Sequence, residues 1–168
     1  MPFNERIFSL LNSLAGRCVF LDWLWIFLAQ YAIFIFGVYL MYLAGKDRKL
    51  FYRAALSAVI VVIAITAIKK FCFLPRPFLE EKVNLLITHD PNNSTFPSRH
   101  AAVAFTLAWA VFLKKRKSGL WLLILAYLVS LSRIIAGVHY PLDVLTGAAL
   151  GIIISYAAHR FLPSQRII

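Results

Sequence analysis

The feature that most constrains this chain is a run without a single charged side chain over positions 23–44. As a helix, those 22 residues rise about 33 Å, enough to cross a bilayer hydrocarbon core of about 30 Å. The run therefore predicts a membrane span. Four further apolar blocks, at 54–68, 101–113, 118–132 and 144–158, have uncharged stretches of only 13 to 15 residues, a length that also fits buried helices of a soluble core. Their flanks decide the assignment. Each stays apolar beyond its bounding charges, through 71–74, Phe96, 134–138, or Phe161 and Leu162, so the charges can sit near the interfaces while the helix still spans. With 61% of the 168 residues apolar, 15% charged and a mean hydropathy of +0.77, far more apolar surface is present than one small soluble core can hide. We expect a single all-α domain over 1–168, an integral membrane bundle of five spans.

Ahead of the first span, Phe3, Ile7, Leu10, Leu11 and Leu14 recur at helical spacing, while Asn4, Glu5, Ser9, Asn12 and Ser13 face away and Phe8 breaks the pattern. This predicts an amphipathic helix within 1–20 lying in the membrane surface. A signal peptide with a lipoprotein-like end at 14–18 fits less well, because Arg17 adjoins Cys18 and Asn12 interrupts the apolar region. Cys18 and Cys72 match no metal or redox spacing and read as inert packing residues.

The net charge of +11 would in a soluble protein suggest nucleic acid. Here it follows from basic residues flanking spans and meeting anionic lipid, so membrane lipids are the expected partners and nucleic acid is not. Lys46, Arg48, Lys49 and Arg53, with Lys114 to Lys117, mark two cytoplasmic loops, and Arg160 and Arg166 fall on the same side. The segments 74–98 and 133–143 then lie outside. They hold nearly all the chemically suggestive residues. Trp23, Trp25, Tyr39, Tyr42, Trp109 and Trp121 read as interfacial anchors, and His89 and His159, which match no motif, as ordinary interfacial residues.

Ionisable residues at membrane depth are costly and need a role. Lys69 and Arg76, with Pro75 and Pro77 fixing the chain, can aim two cations at one anion, although a lysine at a span end is more commonly a snorkelling cap. The run Thr95-Phe96-Pro97-Ser98-Arg99-His100 reads as a capped helix start whose free N–H groups suit a phosphate, with His100 able to protonate a leaving oxygen. Tyr140 precedes a proline, so the last span should begin near Pro141, leaving His139 just outside and Asp143 in the first turn. The Asp143 carboxylate can then accept from His139 Nδ1 and leave Nε2 free to attack. Glu80, Glu81 and Asp90 are scattered in a wet loop and read as solvated rather than as a metal site.

Together these give Lys-x6-Arg-Pro from Lys69, Pro-Ser-x-His from Pro97, and Ser-Arg-x5-His-x3-Asp from Ser132, in that order. Over 69–143 the chain resembles the type 2 phosphatidic acid phosphatase superfamily. The surface helix, the spans and the outward site resemble more narrowly its bacitracin-resistance type of undecaprenyl-diphosphate phosphatase. The resemblance implies His139 as nucleophile, Asp143 as its orienter and His100 as general acid, with Lys69, Arg76, Arg133 and Ser98 binding the phosphoryl group. It implies a lipid diphosphate substrate, a phosphohistidine intermediate, no cofactor, and a bacterial inner membrane with the site facing outside. Three fixed cations can supply the charge that other phosphatases take from metal. Arg99 stands where many members have glycine, and is expected either to meet the second phosphate of a diphosphate or to lie on the rim against anionic lipid. A glycerolipid phosphate such as phosphatidylglycerophosphate or phosphatidate is the alternative substrate, and a non-enzymatic phospholipid binder or transporter the alternative class. Soluble acid phosphatases and vanadate-dependent haloperoxidases share the motifs but not this composition. No feature of the sequence fixes an oligomeric state.

Overall fold

A computed structural model describes residues 2–161; Leu162 and Arg166 lie outside the described residues. The described residues form eight helices and no strand: α1 (Pro2–Asn12), α2 (Val19–Gln30), α3 (Ile33–Lys46), α4 (Arg48–Phe71), α5 (Pro77–Glu80), α6 (Arg99–Phe112), α7 (Arg116–Ile135) and α8 (Pro141–Phe161). By length and apolar composition α4, α7 and α8 can each cross a membrane, and α2 with α3 makes a fourth crossing if the pair is counted as one. The remaining expected span, α6, has 14 residues, a rise of about 21 Å.

The longest uncharged run is not one helix. It breaks between α2 and α3, which are bent by 46°. The cause lies outside the run. The Ala32 N–H donates five residues back to Phe27 O at 3.1 Å, and the Ala29 carbonyl accepts instead from Arg133 Nη1 at 2.9 Å. Ala29 and Ala32, both fully buried, let this stretch of backbone come close to α7.

The short helix α6 is the centre of the bundle, packed on α4, α7 and α8. Its buried face is built from small residues, Ala101, Ala102, Ala104, Ala108 and Ala110, with Thr106, Leu107 and Val111. Helix α8 answers with Gly147 and Gly151. A Cβ at Gly147 would stand 2.5 Å from Ser98 O, and one at Gly151 2.4 Å from Ala102 O, so the two backbones touch. In lipid, where apolar burial between helices gains little, such close packing is what holds helices together. The outer surface carries Phe34, Val38, Ile63, Trp121, Leu145 and Ile153, all exposed, a girdle suited to hydrocarbon.

Asp47 caps α4 by accepting from the Leu50 N–H at 3.1 Å and meets Lys115 at 3.5 Å, which brings both basic loops to one end of the bundle. At the other end, α1 differs from its expected orientation. Phe8, which seemed out of pattern, is buried edge-on against Tyr140 with ring centroids 5.2 Å apart. Asn12 is buried too, donating to Asn84 O at 2.9 Å and Ile135 O at 2.8 Å. Phe3, Leu10 and Leu14 point away from the protein. The helix thus has two committed faces, one for lipid and one for the bundle. Cys18 and Cys72 are exposed rather than packed.

Candidate active site

Three segments far apart in sequence meet at the end of the bundle opposite the basic loops. The first is the entry to α6. Ser98 occupies the N-cap position with extended backbone, and its N–H donates to Asp143 O at 2.9 Å, tying α6 to the first turn of α8. Its hydroxyl does not cap the helix as expected; Oγ is fully buried and has no partner. A buried polar atom left unpaired costs about 1–3 kcal/mol, so such an atom calls for an explanation. Arg99 and His100 follow in the first turn of α6, and both line the cavity described below.

The second segment brings cations. Lys69, in the last turn of α4, donates through Nζ to Ser94 O. Arg76, 2% exposed between Pro75 and Pro77, donates through Nε to Asn93 O at 3.1 Å and through Nη1 to Val138 O at 2.9 Å. Burial lowers its pKa to about 10, which still leaves it cationic at neutral pH. Arg133, in the last turn of α7, is equally buried; Nη1 goes to Ala29 O, while Nε and Nη2 have no protein partner. A guanidinium with two donors spare keeps the planar fork whose geometry matches an oxyanion.

The third segment is the link from α7 to α8. Gly137, at a φ of 82°, takes the left-handed conformation that turns the chain back on the end of α7, where the Val138 N–H reaches Arg133 O at 3.2 Å. His139 then lies just before α8, which begins at Pro141 and carries Asp143 in its first turn, as the sequence predicts. The direct His139–Asp143 hydrogen bond does not form. Nδ1 and Oδ2 are 3.5 Å apart, and Oδ2 accepts instead from the Tyr140 N–H at 2.7 Å and from Thr95 Oγ1 at 2.6 Å. Thr95 Oγ1 also lies 3.1 Å from His139 Nδ1. Burial first, then Arg133, Arg76 and Lys69, hold the His139 pKa well below its ordinary value, which favours the neutral imidazole.

These segments enclose a cavity of about 120 Å³ lined by Lys69, Arg76, His89, Asn93, Arg99, His100 and His139. Ser98, Arg133 and Asp143 are buried; Arg133 lies near enough to act electrostatically on His89 and His139, and Ser98 and Asp143 are joined through their backbones. Two of the lining residues, His89 and Asn93, belong to none of the sequence motifs. His89 is no ordinary interfacial residue; it forms part of the wall, its pKa lowered to about 4 by burial and then by Arg76, Arg133 and Lys69. Asn93 is positioned by Asp90, which accepts from the Asn92 N–H and from Asn93 Nδ2, each at 2.9 Å. The Asp-Pro-Asn-Asn run is a legible turn signal, but nothing in it says which way the turn faces. Thr95 was visible only as a helix-start residue. Glu80 and Glu81 accept from Tyr140 Oη at 3.4 and 3.1 Å, outside the lining of this cavity.

A family model described as the PAP2 superfamily matches residues 48–167. The chain belongs to the PAP2 superfamily. It is 33% identical over 162 residues to undecaprenyl-diphosphatase BcrC of Bacillus subtilis, covering 94% of this chain and 83% of the relative. It is also 33% identical over 159 residues to an undecaprenyl-diphosphatase of Sulfolobus acidocaldarius, covering 92% of this chain and 76% of that one. The crystal structure of Aquifex aeolicus LpxE superposes with a TM-score of 0.85 at 30% identity, over 95% of this chain and 96% of LpxE. This PAP2 protein is a phosphatase, its apolar helices make it a membrane protein, and its relatives make it a lipid phosphatase.

Proposed function

We propose that this protein hydrolyses undecaprenyl diphosphate to undecaprenyl phosphate and inorganic phosphate at the outer face of a bacterial inner membrane, recycling the cell-wall lipid carrier and withholding the diphosphate from bacitracin. The observation that carries the reading is the set of unpaired donors, Arg133 Nε and Nη2 and Ser98 Oγ, in the same buried cluster as a cavity lined by Lys69, Arg76 and three histidines. Phosphoryl transfer needs positioning and charge more than covalent help, and these groups supply both. The names borne by relatives covering most of the chain supply the lipid.

In this reading the cations hold the terminal phosphoryl group while neutral His139 attacks through Nε2. The N–P bond forms as the bridging P–O bond breaks, and the departing undecaprenyl phosphate takes a proton from His100. Water then attacks the phosphohistidine, passing its proton to His100, and the N–P bond breaks to release phosphate. Asp143 holds the nucleophile's end of α8 in place. Arg99, exposed at the first position of α6 and lining the cavity, is suited to the second phosphate.

The test is a substrate panel with purified protein in detergent, using undecaprenyl diphosphate, phosphatidylglycerophosphate and phosphatidate, combined with acid-labile trapping of labelled phosphate. The diphosphate is expected to give the highest kcat/KM, and His139→Ala to abolish both turnover and labelling. Faster hydrolysis of either glycerolipid would overturn the substrate, and full turnover by His139→Ala the nucleophile.

A further inference from the structure

The hydroxyl of Thr95 stands between the two groups whose direct pairing the His-x-x-x-Asp spacing suggests. His139 Nδ1 and Asp143 Oδ2 are 3.5 Å apart, beyond ordinary hydrogen-bond length, whereas Thr95 Oγ1 is 3.1 Å from the ring nitrogen and 2.6 Å from the carboxylate oxygen. Thr95 is 1% exposed, so no solvent competes for it. A hydroxyl has a single proton to give. At 2.6 Å, the contact with Asp143 has the length of a bond from a hydroxyl to an ionised carboxylate, while the other available acceptor, Val138 O, is 3.4 Å away. The Thr95 proton therefore goes to Asp143, and the oxygen faces the imidazole with a lone pair. An acceptor at that position requires Nδ1 to carry the ring proton, and a neutral ring protonated at Nδ1 has a bare Nε2.

We infer that Thr95 is a positioning residue that selects the attacking tautomer of His139, through a one-way chain in which Nδ1–H donates to Thr95 Oγ1 and Thr95 Oγ1–H donates to Asp143 Oδ2. The chain is braced at both ends. The Tyr140 N–H, 2.7 Å from the same carboxylate oxygen, and the bond from the Ser98 N–H to Asp143 O fix the first turn of α8 against the strand-like approach to α6 that carries Thr95. Asp143 thus acts on the nucleophile through a hydroxyl supplied by another segment. The inference rests on reading His139 as the nucleophile.

The experiment compares wild type with Thr95→Val, Thr95→Ser and His139→Ala in detergent, measuring kcat and KM on undecaprenyl diphosphate together with ¹⁵N spectra of histidine-labelled protein, where the His139 signals are those missing from His139→Ala. Thr95→Val, of nearly the same shape, is expected to lower kcat about 10- to 100-fold, the effect of one lost orienting bond, with KM changed less than about 2-fold. Its His139 nitrogens should move from a bare Nε2 towards a mixture of tautomers. Thr95→Ser keeps the hydroxyl and should hold kcat within about 3-fold of wild type, on the same reasoning. Should the melting curve show that Val is not accepted, Thr95→Ala takes its place beside Ser. Wild-type kcat and an unshifted tautomer in the hydroxyl-free variant, or equal losses in the Ser variant and the hydroxyl-free one, would overturn the inference. Activity surviving in His139→Ala would overturn the nucleophile itself, a separate failure.

Discussion

Gly147 offers the sharpest test of how the bundle sets the site. It lies one turn beyond Asp143 on α8, and a methyl group placed there would meet Ser98 O at 2.5 Å, Ala102 N at 3.3 Å and Ala101 Cβ at 3.4 Å. The nearest atom is backbone and cannot rotate aside. Relief requires α6 and α8 to part by roughly 1 Å, the shortfall from ordinary contact distance. That parting falls where the Ser98 N–H meets Asp143 O at 2.9 Å, two residues before His100. A misplacement of that size between catalytic groups costs on the order of 100-fold in rate, or about 2.7 kcal/mol at the transition state. Overpacking should remove a further ~1–3 kcal/mol of stability. Gly151→Ala is the control. Its Cβ would stand 2.4 Å from Ala102 O and 2.9 Å from Thr106 Oγ1, a clash of the same size about 6 Å further along the axis from the imidazoles. Phosphate release and thermal melting of the two variants in one detergent should show similar losses of Tm but a much larger loss of kcat for Gly147→Ala. Wild-type kcat in Gly147→Ala, or a larger kcat loss in Gly151→Ala, would refute the claim that this contact spaces the two histidines.

Arg99→Gly should raise KM about 10-fold on a lipid diphosphate, the worth of one charged contact, and leave a lipid monophosphate unchanged; equal effects on both would end the second-phosphate reading. Because His139 is held well below the ordinary imidazole range, kcat/KM should persist as pH falls through 6.5 and fail only lower, so an acid limb centred at 6.5 would contradict a neutral buried nucleophile. His89 titrates near 4 when folded and near 6.5 when unfolded, so the unfolded chain binds more protons between those values and stability drops as pH falls through that window; the drop in Tm should shrink in His89→Asn. Cys72 follows the site end of α4 and Cys18 precedes α2, both exposed, so a membrane-impermeant maleimide should label them on intact cells, and labelling only after permeabilisation would reverse the proposed orientation.

What could be read from the sequence was whatever local chemistry sets. Pro141 starts α8, and this alone leaves His139 outside the helix and Asp143 in its first turn, because a proline fixes φ and disfavours helix in the residue before it. What could not be read depends on partners remote in the chain. The 23–44 run looks like one span because nothing in it opposes a helix; its bend answers Arg133, 104 residues on from Ala29. Thr95 is 44 residues from His139, and the short span between His139 and Asp143 makes a direct bond look sufficient. The apolar spacing of α1 shows a single stripe, whereas a helix lodged between lipid and protein needs two, and the inward one contains a buried asparagine whose partners are backbone groups of other segments. The Gly147-x-x-x-Gly151 spacing is a legible close-packing signal, although it does not say which helix it meets.

The bend and the proposed phosphate cradle share one side chain, Arg133. A transmembrane helix cannot leave a carbonyl unpaired in hydrocarbon, so a break between α2 and α3 survives only if something else satisfies the freed groups. Arg133 does so with one N–H, and that bond restrains the guanidinium. Because the guanidinium is rigid and flat, tethering one N–H also limits where Nε and Nη2, the two donors left without protein partners, can point. In the proposed function the irregular backbone between α2 and α3 is therefore part of the site's preorganisation: it restrains the arginine beforehand, so less orientational freedom would remain to be lost when a phosphoryl group binds. A lysine at this position would keep the charge but not the planar fork, and so could not hold the Ala29 carbonyl and two phosphoryl oxygens in one fixed geometry.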